Sequence, residues 1–402
     1  MAGLAWGAVL ALTGRMILAR EIAGLFAGDR FVTGAHRLNW YLHHGWTGSW
    51  PGTALPLFDP TTDMPAPVVA ALGDWLGRRT ALRHRLALLH VRARQIVTAS
   101  DTAHQRAAIA DFTDLAAPLV RDMTPPDPQA PALPAPAPAA FSRDRARVAL
   151  MALRDLDVPW YVISGTFLGA VREGDFLAHD YDIDIGVQAE DFDDAAFRAE
   201  IAATEDLVIV NASAHLDLSP APDGRWTGTP RPALYRVLHA NGTGIDVFVH
   251  HRDGDLRWHG SAKHRWDNSA FAQGDHAIAG LPVKGPADAD RYLTENYGDW
   301  RTPVTTFNCS TGTPNVRFPR NPSALAEHLR LALAPRPTRD TQVARLILWQ
   351  EGHLQRRGHD TVIAVFPQAA PHRHDRDCTA AAENVNEAPV PDTATVDKRS
   401  FP

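Results

Sequence analysis

Three aspartates, Asp180, Asp182 and Asp184, occupy every second position of the stretch His179–Val187. On a strand, successive side chains point to opposite faces, so Asp182 and Asp184 share one face about 7 Å apart while Ile183 and Ile185 turn the other way into a core. Like charges held this close repel. A divalent cation removes the repulsion, and a ligand set made only of oxygen suits Mg²⁺ or Mn²⁺ better than zinc. The competing reading is a charged, solvated face on an edge strand, but a third acid beside a glycine-bearing turn argues for the metal. A fourth carboxylate, Asp246, stands alone among apolar neighbours in Ile245-Asp246-Val247-Phe248-Val249. The expected metal set is Asp180, Asp182, Asp184 and Asp246. Asp182, Asp184 and Asp246 are the expected catalytic residues, with Asp246 holding a second ion or accepting a proton.

A second element precedes the acids. Ser164-Gly165-Thr166 follows a short apolar strand and opens a helix, a turn whose free N–H groups can face an anion. Ser164, Gly165 and Thr166 are therefore expected to hold phosphate oxygens, with Arg172 adding a fixed positive charge. His179 and Arg236 are further candidates for contact with a phosphorylated donor. Arginine is the default cation, since only Lys263, Lys284 and Lys398 among the 40 basic residues are lysine. A lone arginine thus weighs little.

The elements that must position these groups follow from periodicity. Ser142 is expected to cap a helix through about Leu156, and Trp160–Ile163 reads as a short buried strand. Seventeen positions from Gly165 to Asp182 leave room for one short helix and a return to the same sheet. Leu234–His239 and Ile245–His251 flank Asn-Gly-Thr-Gly and read as a hairpin, which would set Asp246 on an antiparallel strand next to Asp182–Ile185. Helices are expected near Asp288–Tyr297, Pro322–Leu333 and Thr341–His353.

The chain divides at Thr124–Ala140, where seven of 17 residues are proline. This should be an extended spacer. Residues 1–123 before it read as mostly helical, with a long helix over Val68–Ser100 and another capped by Asp101 and stopped by Pro118. An arginine face (Arg78, Arg79, Arg83, Arg85) reads as solvated rather than as a lipid or partner contact. Residues 141–367 carry the chemistry. Residues 368–402 lack periodicity and are expected to be disordered, their cluster His372, His374, Asp375, Asp377 and Cys378 reading as a solvated tail.

Composition narrows the class. With 402 residues and a net charge of −6, the chain lacks the basic excess of a nucleic-acid binder. Two cysteines, Cys309 and Cys378, build neither a disulfide framework nor a structural zinc site, which suits a reducing, cytoplasmic location. The apolar N-terminal run, about a dozen residues, is shorter than the roughly 20 a bilayer span needs. It reads as a buried or membrane-grazing helix, so peripheral membrane contact without a transmembrane segment is expected.

The same residues carry a family resemblance. Gly165, Thr166, Leu168, Gly169, Ala170, Arg172, Phe176, Asp180, Asp182 and Asp184 resemble the signature of the LicD, or fukutin-like, family. Gly244-Ile245-Asp246-Val247-Phe248 and the block from Tyr292 to Pro303, with Tyr297-Gly298-Asp299-Trp300, resemble two further family segments in the same order. Ala178-His179 and Tyr181 depart from the pattern. The resemblance implies an α/β (α+β) fold of nucleotidyltransferase type, a small mixed sheet with flanking helices. It also implies a metal-dependent transferase that moves a phospho-alcohol, such as phosphocholine or ribitol phosphate, from a CDP-activated donor to a hydroxyl of a glycan or lipid-linked sugar. The alternatives are nucleotide transfer to a small hydroxylated molecule and an inactive scaffold in glycan assembly. Tyr297, Gly298, Asp299 and Trp300 read as scaffold.

Overall fold

The computed structural model describes residue 77 and residues 82–366, apart from 128–129, 132, 134–140, 305–306 and 335. The expectations for the apolar N-terminal run, for Arg78 and Arg79, and for the tail with its His/Asp/Cys cluster lie outside the described residues. So does the start of the helix expected from Val68.

Helices α1 (Leu82–Val97) and α2 (Thr102–Val120) come first. Asp101 caps α2, its side chain accepting from the His104 N–H at 2.9 Å. Pro118 does not stop this helix but stands inside it. In the last turn a missing N–H forfeits a single bond, and burial of Ala116 and Val120 holds the turn in place. Ser142 caps α3 (Arg143–Ala152), which tightens into one 3₁₀ turn at Leu153–Asp155. Then follow β1 (Trp160–Val162), α4 (Ser164–Arg172), β2 (Asp182–Gln188) and α5 (Asp194–Ala203).

A long hairpin, β3 (Leu207–Pro220) with β4 (Trp226–His239), leads into β5 (Gly244–Asp253). The expected turn between β4 and β5 is present, with Gly242 at φ +91° and Asn241 Oδ1 accepting from the Thr243 N–H at 3.0 Å. Short strands β6 (Leu256–Gly260), β7 (Arg265–Ser269), β8 (Gln273–Ile278) and β9 (Leu281–Pro286) precede α6 (Ala289–Tyr297). The chain continues through β10 (Val316–Arg317), α7 (Pro322–Ala332), α8 (Arg339–Gln350), β11 (Leu354–Arg357) and β12 (Asp360–Ile363).

The result is mixed α/β. The main sheet has eight strands in the order β1-β2-β5-β6-β7-β10, with β4 also pairing β5 and β3 pairing β4. Strands β2 and β5 are neighbours but run parallel, not antiparallel as expected. The β3–β4 excursion acts as the crossover a parallel pair needs, returning the chain to the start of β5 in the direction of β2. Ile183, Ile185, Val187, Ile245, Val247 and Val249 bury one face against Ala149 and Leu150 of α3 and Phe167 of α4. That core fixes which side the interleaved aspartates must take.

A second cluster joins α1 and α2 to α7 and α8, through Leu89, Ile96, Phe112, Leu325, Leu329 and Leu348. Helices from both sides of the proline-rich stretch therefore share one core, so the change of sequence texture there does not separate two hydrophobic interiors. The tip of the β3–β4 hairpin docks on the same helices, where Gln105 Nε2 donates to the Trp226 carbonyl at 2.6 Å. Among the described residues no helix is long and apolar enough to cross a membrane.

Candidate metal centre

Register brings three carboxylates together. Asp184 on β2 lies opposite Asp246 on β5, and Asp182 opposite Gly244, so all three acids share the face turned away from the apolar core. One ligand oxygen from each of Asp182, Asp184 and Asp246 lies within 4.8 Å of the others. Two ionised carboxylates about 5 Å apart repel by roughly 3 kcal/mol at an effective dielectric constant near 20. Burial, reinforced by the charges of Asp184 and Asp246, raises the Asp182 carboxyl well above the usual range. Burial, with the charges of Asp180 and Asp246, does the same to Asp184.

The β1–α4 turn is built around Asp184. Gly165 N–H donates to Asp184 Oδ2 at 3.2 Å, and the Asp184 N–H donates to Thr166 Oγ1 at 2.8 Å. Thr166 is fully buried. Two members of the expected phosphate cradle thus position a carboxylate instead, because the tertiary contact with β2 takes up the donor and the hydroxyl. Ser164 holds φ at +47°, in the left-handed region where a side chain costs roughly 1–2 kcal/mol. This places strain at the foot of the site.

Asp180 stands beside the three-acid cluster. A Cβ on Gly165 would lie 3.2 Å from Asp180 Oδ2, close enough to displace that oxygen by a few tenths of an ångström, and in ordinary contact with Asp184 Oδ2 at 3.5 Å. Asp180 Oδ2 is buried with no hydrogen-bond partner, and burial pushes this carboxyl up to about 6. An orphaned carboxylate oxygen next to three convergent acids makes an all-oxygen donor set, and its chemistry would fit Mg²⁺ or Mn²⁺.

The remaining candidates divide. Arg236 reaches the cluster, its Nε and Nη2 donating to Asp246 Oδ1 and Oδ2 at 2.9 Å each. Arg172 does not. It ends α4, eight residues and about 12 Å of helix beyond Ser164. There its Nη1 donates to the Trp300 carbonyl at 3.2 Å. His179 is exposed. The Tyr297–Pro303 block closes α6. Gly298 caps the helix at φ +64°, and Trp300 Nε1 donates to Asp290 Oδ1 at 3.2 Å.

Tyr181 was not among the candidates read from sequence. Its side chain is 55% exposed beside the acids, and the charge of Asp182, ahead of burial, pushes its phenol upward. Its place between Asp180 and Asp182, just before β2, was the available signal.

Comparison with known proteins bears out the family resemblance over one segment. Residues 157–274 match the family model described as LicD/FKTN/FKRP, nucleotidyltransferase domain. Every candidate residue from Ser164 to Asp246 falls inside it, whereas the Tyr297–Pro303 block lies beyond it. A stretch of 184 residues is 23% identical to the ribitol-5-phosphate transferase FKTN of Mus musculus, covering 44% of this chain and 36% of that protein. The Homo sapiens protein of the same name is 23% identical over the same extent. The match spans only about a third of the length of these curated relatives.

Proposed function

We propose that the chain is a divalent-metal-dependent transferase. It moves a phospho-alcohol of the ribitol-phosphate or phosphocholine kind from a CDP-activated donor to a hydroxyl of a glycan or lipid-linked sugar. The observation that carries this reading is the convergence of Asp182, Asp184 and Asp246 on one sheet face inside the segment that matches the nucleotidyltransferase domain. In the reaction, the acceptor hydroxyl oxygen bonds to the phosphorus that bears the alcohol. The bond from that phosphorus to the bridging oxygen breaks, CMP leaves, and the hydroxyl proton passes to the acidic cluster.

Asp182, Asp184 and Asp246, with Asp180 alongside, would hold Mg²⁺ or Mn²⁺. Such an ion, when bound, neutralises diphosphate charge and lowers the pKa of a nearby hydroxyl. Gly165 and Thr166 hold Asp184 in place for that task, through its carboxylate and its N–H respectively. The buried row Ile183, Ile185, Ile245 and Val247 keeps the strands from shifting register. A cytoplasmic site of action, with peripheral contact to a membrane that carries the acceptor, belongs to the same proposal.

The test is product analysis. Purified protein is incubated with Mn²⁺ and an oligosaccharide acceptor, together with either CDP-ribitol and CDP-choline or the nucleoside triphosphates. Metal-dependent CMP release from a CDP-alcohol supports the reading. Pyrophosphate from a triphosphate, without CMP from any CDP-alcohol, replaces it with nucleotide transfer. No product in either arm, with thermal stability unmoved by metal and nucleotide, points to a scaffold.

A further inference from the structure

The arginine at the cluster occupies a position that a bound cation would contest. Asp184, Asp246 and Arg236 form one row across three strands, since Asp246 faces Asp184 on one side and Arg236 on the other. Both oxygens of Asp246 accept from the Arg236 fork, and the Asp246 side chain is only 8% exposed. Yet an Asp246 oxygen is one of the three that converge within 4.8 Å. A divalent ion seated among them and a guanidinium bound to the same carboxylate would repel strongly.

Arg236 also has solvent on one side. Its side chain is 53% exposed, and among the described residues both of its hydrogen bonds go to Asp246. Other arginines nearby are tethered elsewhere, such as Arg172 to the Trp300 carbonyl. The flexible stem and planar fork of Arg236 lie on the acidic face itself, and a fork of that geometry matches phosphate oxygens as well as a carboxylate.

We propose that Arg236 is an exchangeable counter-ion. It holds Asp246 in the metal-free protein, yields that carboxylate when a divalent cation binds, and turns its guanidinium to the diphosphate of the donor. This inference rests on the metal-dependent reading above. It explains why the buried Asp246 carboxylate has both of its oxygens taken by one arginine fork.

The test measures two affinities with opposite expected signs. Mn²⁺ binding to the full chain is followed by the loss of the free-ion paramagnetic resonance signal, and CDP binding at saturating Mn²⁺ by calorimetry. Arg236→Gln should bind Mn²⁺ roughly 5- to 20-fold tighter, since an ion pair no longer competes. It should bind CDP at least about 10-fold more weakly, the loss expected for one charge-assisted contact, and Arg236→Lys should recover part of that loss. A merely structural role in the β4–β5 pair would weaken both, and that result overturns the proposal, as does an unchanged Mn²⁺ affinity. If the native chain itself takes up no Mn²⁺, the metal-dependent reading falls too. Should Arg236→Gln not fold, crystals of the native chain with and without Mn²⁺ decide: an Arg236–Asp246 pair retained in the Mn²⁺-loaded site refutes the exchange, and a broken pair supports it.

Discussion

Replacing Asp180 by asparagine should stabilise the metal-free protein at neutral pH. Burial pushes the Asp180 carboxyl from 3.8 up to about 6, and its Oδ2 has no hydrogen-bond partner. Between those two values the folded chain binds more protons than the unfolded one, so this carboxyl's contribution to stability falls as pH rises through that window. It is fully lost above the folded value. The gap corresponds to about 3 kcal/mol at pH 7, an upper bound because the cluster relaxes. Asparagine keeps the acceptor for the Tyr181 N–H, which donates to Oδ1 at 3.1 Å, and removes the charge. Urea unfolding in EDTA at pH 7 and pH 4 is the assay. The variant should gain up to about 3 kcal/mol at pH 7, a midpoint shift of at most roughly 1 M for a urea slope near 3 kcal/mol/M. The gain should be small at pH 4 and should shrink when Mn²⁺ is added to both proteins at pH 7. Equal or lower stability of the variant at pH 7 would refute the reasoning that this acid is held at a cost for a cation.

Asp184→Asn should fold normally yet release CMP about 10³-fold more slowly, because roughly 4 kcal/mol of charge stabilisation rests on the ligand it removes. Circular dichroism together with the product assay checks both halves. Gly165→Ala should weaken Mn²⁺ binding by up to about 10-fold with the fold intact, since its Cβ would crowd Asp180 Oδ2 at 3.2 Å. A titration showing native affinity would contradict this. Gly169→Ala should instead cost about 1–3 kcal/mol of stability in urea, because its Cβ would lie 2.6 Å from the Asp175 carbonyl, which is backbone and cannot swing aside.

What the sequence revealed and what it hid follow from the range of the interactions. The Asp182–Gln188 strand was legible because its period of two is local, and Ile183 and Ile185 named the buried face. The caps at Asp101 and Ser142 were legible for the same reason. The Arg236–Asp246 pair could have been counted outward from the Asn-Gly-Thr-Gly turn, since both strands had been identified and only their register was left unused. The β3 strand was harder to see. It shifts register near Ile209/Asn211 and Ser213/Ala214, which blurs its alternation. The contacts of Gly165 and Thr166 with Asp184 were not legible because no local pattern tells whether a helix-opening N–H meets a ligand or another strand. For Arg172 one calculation was left undone, the rise of a helix over eight residues, which sets its Cα about 12 Å along the axis from Ser164. The shared core of α1, α2, α7 and α8 joins residues more than 200 positions apart, such as Leu89 and Leu325, and no window of sequence reports this.

The most direct measurement is anomalous diffraction from crystals of the full chain grown with Mn²⁺ and CMP. The account predicts a manganese peak within bonding distance of Asp182 and Asp184, with Asp246 turned to it, and no peak in crystals of Asp182→Ala. A site without manganese at concentrations that saturate ordinary carboxylate sites, or manganese bound only elsewhere on the chain, would contradict it.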